Sequence, residues 1–140
     1  MSELSSGLPA AETSKSEQPA ASRCVLLAED NMVNALVATR LLSKWGITAD
    51  HVENGLEAVR MASQKRYDLI LMDIHMPEMN GFEATKQIRS TANPNSTTPI
   101  FALTADVTAS DQAAYASYFT GFLNKPIEVD KLQKAVLNNI

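Results

Sequence analysis

The sequence predicts an open α/β fold, a doubly wound parallel sheet of five strands with five helices shared between its two faces. Three observations lead there. From residue 24 onward, short apolar runs alternate with stretches of helical periodicity, the pattern of parallel βαβ units with short connections. The block Leu69-Ile70-Leu71-Met72 is apolar at every position and too short for an independent helix, as expected of a strand buried on both faces. Most of the apolar runs end in residues that carry chemistry: Glu29-Asp30, Asp73, Thr104 and Lys125.

Residues 1–22 are rich in Ser, Ala, Glu and Pro and read as a disordered tail or interdomain linker, with one domain over 23–140. Cys24-Val25-Leu26-Leu27-Ala28 is the first strand. From Asn31 the pattern becomes helical, with Val33, Val37 and Leu41 at i, i+4 and i+8, Leu36 beside them, and Trp45-Gly46 at the close. Residues 47–52 form a more polar strand, hence one at or near an edge, with His51 at the surface. Asn54-Gly55 turns into a helix over 56–65 with a narrow stripe of Ala58, Val59 and Ala62. The third strand ends at Asp73; Pro77 cannot continue a ladder, and Asn80-Gly81 opens a helix over 82–89. Residues 90–99 are a polar loop with two prolines, long enough to be mobile. A fourth strand over 99–104 precedes a helix over 109–119. Gly121-Phe122-Leu123-Asn124 is a short fifth strand, and the last helix carries Val129, Leu132, Ala135 and Val136 on one side.

Composition narrows the function. A length of 140 residues with 45% hydrophobic content suits one domain with one real core. The net charge of -4, without a basic run, argues against nucleic acid and for protein partners. The lone Cys24 has no second cysteine to pair with, so a buried inert thiol in reducing cytoplasm is expected. No apolar run approaches the roughly 20 residues a bilayer span needs, so no direct membrane insertion is expected.

In a parallel sheet, Glu29, Asp30, Asp73, Thr104 and Lys125 all project from the carboxyl edge, where open α/β sheets put their ligands. Two carboxylates ~4 Å apart repel by about 4 kcal/mol at an effective dielectric of ~20, so the cluster calls for a cation or a proton. Hard oxygen ligands suit Mg²⁺, with phosphate oxygens among its remaining ligands. Asp73 is then placed to attack a phosphoryl group as a nucleophile while Lys125 and Thr104 neutralise the equatorial oxygens.

The chain from Arg23 to Ile140 resembles a two-component response-regulator receiver domain, of the kind found in phosphorelays and at the C-termini of hybrid histidine kinases. The resemblance rests on Glu-Asp-Asn at 29–31 with Asn34, Asn-Gly-Leu-Glu-Ala at 54–58, Tyr-Asp-Leu-Ile-Leu-Met-Asp-Ile-His-Met-Pro at 67–77, Leu-Thr-Ala at 103–105 and Lys-Pro-Ile at 125–127. It implies a flavodoxin-like strand order of 2-1-3-4-5. It also implies Asp73 as phosphoacceptor, and Mg²⁺, with Mn²⁺ able to substitute, held by Asp30, Asp73, the His75 backbone carbonyl and, through water, Glu29. Lys125 and Thr104 would contact the phosphoryl group, and the bond before Pro126 is expected to be cis. Thr104 and Phe122 would form the switch, and His75, Ala105 and Asp106 would modulate the lifetime of the phosphorylated form.

Taken singly, these residues have plainer readings. An acidic pair after a strand suits any helix N-terminus, a carboxylate like Asp73 can be an ordinary first-turn residue, and a lone lysine is usually a solvated charge. Their joint occurrence at successive strand ends outweighs this. Met76 and Met79 read as packing residues and Trp45 as a core-edge one. Two departures from the family pattern stand out. Phe122 replaces a tyrosine found in many members, which removes a phenolic hydroxyl, and Tyr118-Phe119-Thr120 precedes it, as either a contact patch or core packing.

No effector domain follows Ile140 in the sequence, so the signal is expected to leave by phosphotransfer or protein contact. The expected partner is a histidine kinase or a histidine phosphotransfer protein docking on the first helix near Asn34, Val37 and Leu41; a monomer is expected. Two rival classes are a pseudo-receiver that only binds partners and a haloacid-dehalogenase-type phosphohydrolase. The latter places a second aspartate where this chain has His75.

Overall fold

Every residue of β1 (Cys24–Ala28) and of β3 (Leu69–Asp73) is buried, and these two strands take the middle of the sheet. A computed structural model describes residues 23–105 and 117–140. The other described elements are α1 (Met32–Lys44), β2 (Thr48–Val52), α2 (Gly55–Gln64), α3 (Gly81–Ser90), β4 (Ile100–Thr104), β5 (Gly121–Asn124) and α4 (Val129–Leu137). The five strands are all parallel in the order β2-β1-β3-β4-β5, as expected, with the polar β2 at an edge. Among the described residues four helices stand against the five expected for the chain. The helix expected over 109–119 lies largely outside the described residues, as do the tail expected over 1–22 and Asp106.

The twofold alternation of strand side chains divides the core in two. Leu26, Ala28, Ile70, Met72, Ile100 and Ala102 face α2 and α3 through Ala58, Ala62, Ala84 and Ile88. Val25, Leu27, Leu69, Leu71, Leu103 and Leu123 face α1 and α4 through Ala35, Ala38, Leu42, Leu132, Ala135 and Val136. Helices on both faces are what allow strands with no polar side to form. Each fully buried Leu or Ile contributes roughly 1.5–3 kcal/mol.

Three helices start on the same chemistry at the carboxyl edge. Asn31, Asn54 and Asn80 each accept a hydrogen bond from the backbone N–H three residues on, at Asn34, Glu57 and Glu83. Glu57 and Glu83 add a carboxylate to the first turn, favourable to the helix dipole.

Several expectations change in the tertiary setting. The spacing of Val33, Val37 and Leu41 marks α1 but leaves its buried face open: α1 lies on Ala35, Ala38 and Leu42, and Met32, Val33, Leu36 and Val37 are exposed. Small alanines bring the helix close to the sheet and leave the larger side chains outside. The loop at 90–99, expected to be mobile, is pinned. Fully buried Asn95 accepts from Tyr67 N–H at 2.8 Å and donates to the Ala62 and Lys65 carbonyls, both at 2.7 Å. Arg89 donates to the carbonyls of Ser96, Thr98 and Tyr118. Phe119 is core and Tyr118 packs edge-on to Phe82 at 5.5 Å, so of the two readings of these aromatics core packing is the one found. Trp45 closes α1 at the core margin, and Met76 and Met79 pack against the α2–α3 side.

Beneath α2, Asp50 Oδ2 accepts from Tyr67 Oη at 2.8 Å and Lys65 Nζ at 3.0 Å. Burial pushes the Asp50 carboxyl up, but these bonds outweigh it and hold the group below the ordinary aspartate value. The same burial, with Asp50 nearby, raises the thiol of buried Cys24, as expected of an inert cysteine.

Candidate functional site

The chain moves from β1 outward to β2, then returns past β1 to β3, so the carboxyl ends of β1 and β3 border the crevice where the strand order reverses. Glu29 and Asp30 leave β1 there, and Asp73 is the last residue of β3. Oxygens of Glu29, Asp30 and Asp73 all lie within 4.8 Å of one another. Glu29 and Asp73 are buried, whereas Asp30 is exposed. Lys125 follows β5, where its N–H donates to the Thr104 carbonyl at 2.8 Å. From there Nζ reaches across the sheet edge to Asp73 Oδ2 at 2.9 Å and to Glu29 Oε1 at 3.2 Å. The Lys125–Pro126 peptide bond is cis.

Burial and the adjacent Asp73 push Glu29 up to about 7. Burial pulls the Lys125 ammonium down, but its hydrogen bond to Asp73 and the charges of Asp73 and Glu29 prevail, so it is held above the ordinary lysine value. Glu29 Oε2 accepts from Asn31 N–H at 3.1 Å, while buried Oε1 makes no hydrogen bond. Three carboxylates with one ammonium leave negative charge uncompensated. A set of hard oxygen donors with one orphaned oxygen fits a divalent cation such as Mg²⁺.

The loop from β3 to α3 is clamped at both ends. Ile74 N–H donates to the Leu103 carbonyl, Gly81 N–H to the Ile74 carbonyl and Gly55 N–H to the Met79 carbonyl. Two glycines make this possible: a Cβ at Gly81 would lie 2.0 Å from the Asp73 carbonyl oxygen, and one at Gly55 would lie 2.2 Å from that of Met79. Glu78 turns the loop at a left-handed φ of 69°. Within it, exposed His75 donates its N–H to Asp73 Oδ1 at 3.1 Å, so both oxygens of Asp73 are oriented.

Thr104 is buried at the end of β4 on the same edge, with exposed Ala105 next to it. Phe122 lies two residues back along β5, half-buried, 5.8 Å from Phe119 and lining a cavity of about 370 Å³ with Phe101 and Ala135. The structure thus brings Glu29, Asp30, Asp73 and Lys125 together, with Thr104 at the same edge and Phe122 set behind it. Sequence reasoning placed His51 at the surface. The ring is instead half-buried, with Nε2 2.8 Å from the Glu29 carbonyl oxygen, a contact created by the pairing of β1 with β2 that local sequence does not announce.

A family model described as the response regulator receiver domain matches residues 25–137. The chain belongs to the response-regulator receiver domain family. Histidine kinases are similar to it over part of their length. It is 33% identical over 138 residues to Histidine kinase 5 of Arabidopsis thaliana, covering 80% of this chain and 15% of that protein. It is 40% identical over 119 residues to Hybrid signal transduction histidine kinase B of Dictyostelium discoideum, covering 77% of this chain and 6% of that one. The chain therefore spans only a small part of these relatives, and likeness to hybrid kinases sets it among receiver domains of the phosphorelay type. Among solved structures, the receiver domain of a sensor histidine kinase from Pseudomonas aeruginosa, with a magnesium ion coordinated in its active-site cleft, superposes with a TM-score of 0.76 at 36% identity, covering 84% of this chain and 96% of that one. The chemotaxis response regulator CheY4 of Vibrio cholerae gives 0.78 at 28% identity, covering 84% and 98%. In this receiver domain no helix among the described residues is long and apolar enough to cross a membrane.

Proposed function

We propose that this receiver domain accepts a phosphoryl group from phosphohistidine onto Asp73 and then passes it on or uses it to change partner binding. The observation that carries this reading is the buried Asp73 carboxylate at the end of a central strand, with Lys125 Nζ 2.9 Å from one oxygen and the His75 N–H 3.1 Å from the other. An Asp73 oxygen attacks phosphorus, the phosphorus–nitrogen bond to a donor imidazole protonated on its other nitrogen breaks, and the bonding pair stays on the ring, which leaves as neutral histidine. Lys125 and the Thr104 hydroxyl neutralise charge on the equatorial oxygens as it develops. Asp30, Asp73 and the His75 carbonyl would hold Mg²⁺, or Mn²⁺, directly and Glu29 through water; when bound, the ion neutralises charge on the same oxygens.

The same reading assigns the switch to Thr104 and Phe122: Thr104 is drawn toward the phosphoryl group and Phe122 takes the vacated space. His75 and Ala105, with Asp106 by the family resemblance, set the lifetime of the acyl phosphate. The exposed apolar face of α1, with Met32, Val33, Leu36 and Val37 beside the site, supports docking of a histidine phosphotransfer protein or kinase helix. The domain would act as a cytoplasmic monomer.

Phosphotransfer from a phosphohistidine donor with Mg²⁺, followed by intact mass, tests the reading. Wild type gains one base-labile phosphoryl group and Asp73→Asn gains none. A wild-type chain that binds the donor without gaining mass is a pseudo-receiver instead.

A further inference from the structure

Both main-chain hydrogen-bonding groups of Glu29 end on β2. Its N–H donates to the Val52 carbonyl at 3.0 Å, and its carbonyl oxygen lies 2.8 Å from Nε2 of His51. A carbonyl only accepts, so Nε2 carries a proton and donates it. The peptide plane whose oxygen is held this way is the one joining Glu29 to Asp30. Its orientation sets where the exposed Asp30 side chain starts from, beyond the last paired residue of β1.

Asp73 stands in a different position. It is a strand residue, in register with Leu103 across the sheet, and its carboxylate is held from both sides. Asp30 has left the ladder, and among the described residues its peptide is steadied on one side by the imidazole and on the other by the turn into α1. There, Asn31 N–H donates to Glu29 Oε2.

We propose that His51 is a positioning residue for the acidic pair: its ring bond to the Glu29 carbonyl orients the Glu29–Asp30 peptide so that Asp30 presents its carboxylate to a divalent cation shared with Asp73. This rests on the reading of Glu29, Asp30 and Asp73 as a cation site. The plainer alternative is that an edge-strand histidine merely satisfies a carbonyl and has no effect on ligand binding. The two differ in what happens to cation affinity when the donor is removed and the ring shape kept, because outer-sphere hydrogen bonds to ligand-bearing groups govern affinity as well as stability.

The test is calorimetric titration of Mg²⁺ alone into the full chain as wild type, His51→Phe and His51→Gln. Phe keeps a flat ring without a donor, and Gln puts an amide N–H at about the reach of Nε2. We expect the Phe variant to raise the Mg²⁺ Kd by about ten-fold, the lower end of the range for outer-sphere partners. Gln should recover most of the loss. In metal-free ¹H–¹⁵N spectra the Asp30 and Asn31 amides should move in the Phe variant and return in Gln. A Phe variant that binds Mg²⁺ as wild type does overturns the role of His51 while leaving the cation site intact. Wild type that takes up no Mg²⁺ overturns the site itself, and this inference with it. Should His51→Phe fail to fold, His51→Leu against His51→Gln gives the same comparison.

Discussion

Lys125 Nζ is shared: it donates to Asp73 Oδ2 at 2.9 Å and to Glu29 Oε2 at 3.3 Å, while Glu29 Oε1, 3.2 Å from the same nitrogen, makes no hydrogen bond. One cation serves two buried carboxylates, and Glu29 is the one left short. Burial first and Asp73 next raise the Glu29 carboxyl to about 7, and the shared ammonium offsets them only in part.

The pH dependence of stability follows from that shortage. With its carboxyl raised to about 7 by burial and by Asp73, Glu29 holds a proton in the folded chain that the unfolded chain has released above about 4.5. Unfolding then sheds a proton, so this contribution is full below about 4.5 and is lost as pH rises through about 7. Metal-free protein should melt at a lower temperature at pH 8 than at pH 6. Glu29→Gln should shrink the difference, as should saturating Mg²⁺, which competes with the proton; thermal melts at the two pH values check this.

Asp50 gives the opposite sign. Hydrogen bonds from Lys65 and Tyr67 outweigh burial and depress its carboxyl, so its contribution is present above the unfolded value of about 4 and is lost as pH falls through the folded one. Asp50→Ala leaves the buried Tyr67 hydroxyl without its acceptor and should cost about 2 kcal/mol in urea denaturation at neutral pH. It should also flatten the acid limb of the stability curve. Because the Asp50 carboxylate is partnered by Cys24, Lys65 and Tyr67 and by none of the carboxylates at the strand ends, phosphorylation should be unaffected.

Asn95 ties the β3 entry, the end of α2 and the loop before β4 into one unit. Asn95→Asp loses both donations, to the Ala62 and Lys65 carbonyls, and sets a carboxylate against them. It should destabilise the fold by about 3 kcal/mol or more and speed hydrogen exchange across residues 90–99. Exchange mass spectrometry with denaturant curves would measure both; an unaltered loop would mean that Arg89, Asn93 and Thr98 suffice to hold it.

Gly55 touches the loop that bears His75. An alanine Cβ there would lie 2.2 Å from the Met79 carbonyl, a backbone atom that can yield only by shifting the loop. Gly55→Ala should weaken Mg²⁺ binding by about ten-fold, the lower end of the range for lost outer-sphere support, without removing any ligand. The Mg²⁺ dependence of phosphorylation should show a higher half-saturating concentration with much the same plateau.

The amino-acid sequence by itself determined the alternation of elements, the polar edge strand and the carboxylates, hydroxyl and lysine at the strand ends. Apolar runs, helical periodicity and Asn or Gly turn signals act over a few residues, so they can be read locally, and a parallel sheet then sends every strand's final residue to one edge. Only the tertiary structure decided which face of α1 is covered, that the loop at 90–99 is fastened by Asn95, and that His51 reaches Glu29. It likewise decided that Gly55 and Gly81 admit backbone at contact distance. Each of these depends on registers and approaches between segments distant in the chain. A side chain's own neighbours in sequence carry no record of the carbonyl it will meet, and helical spacing alone cannot say whether alanines or the larger valines and leucines will face the sheet.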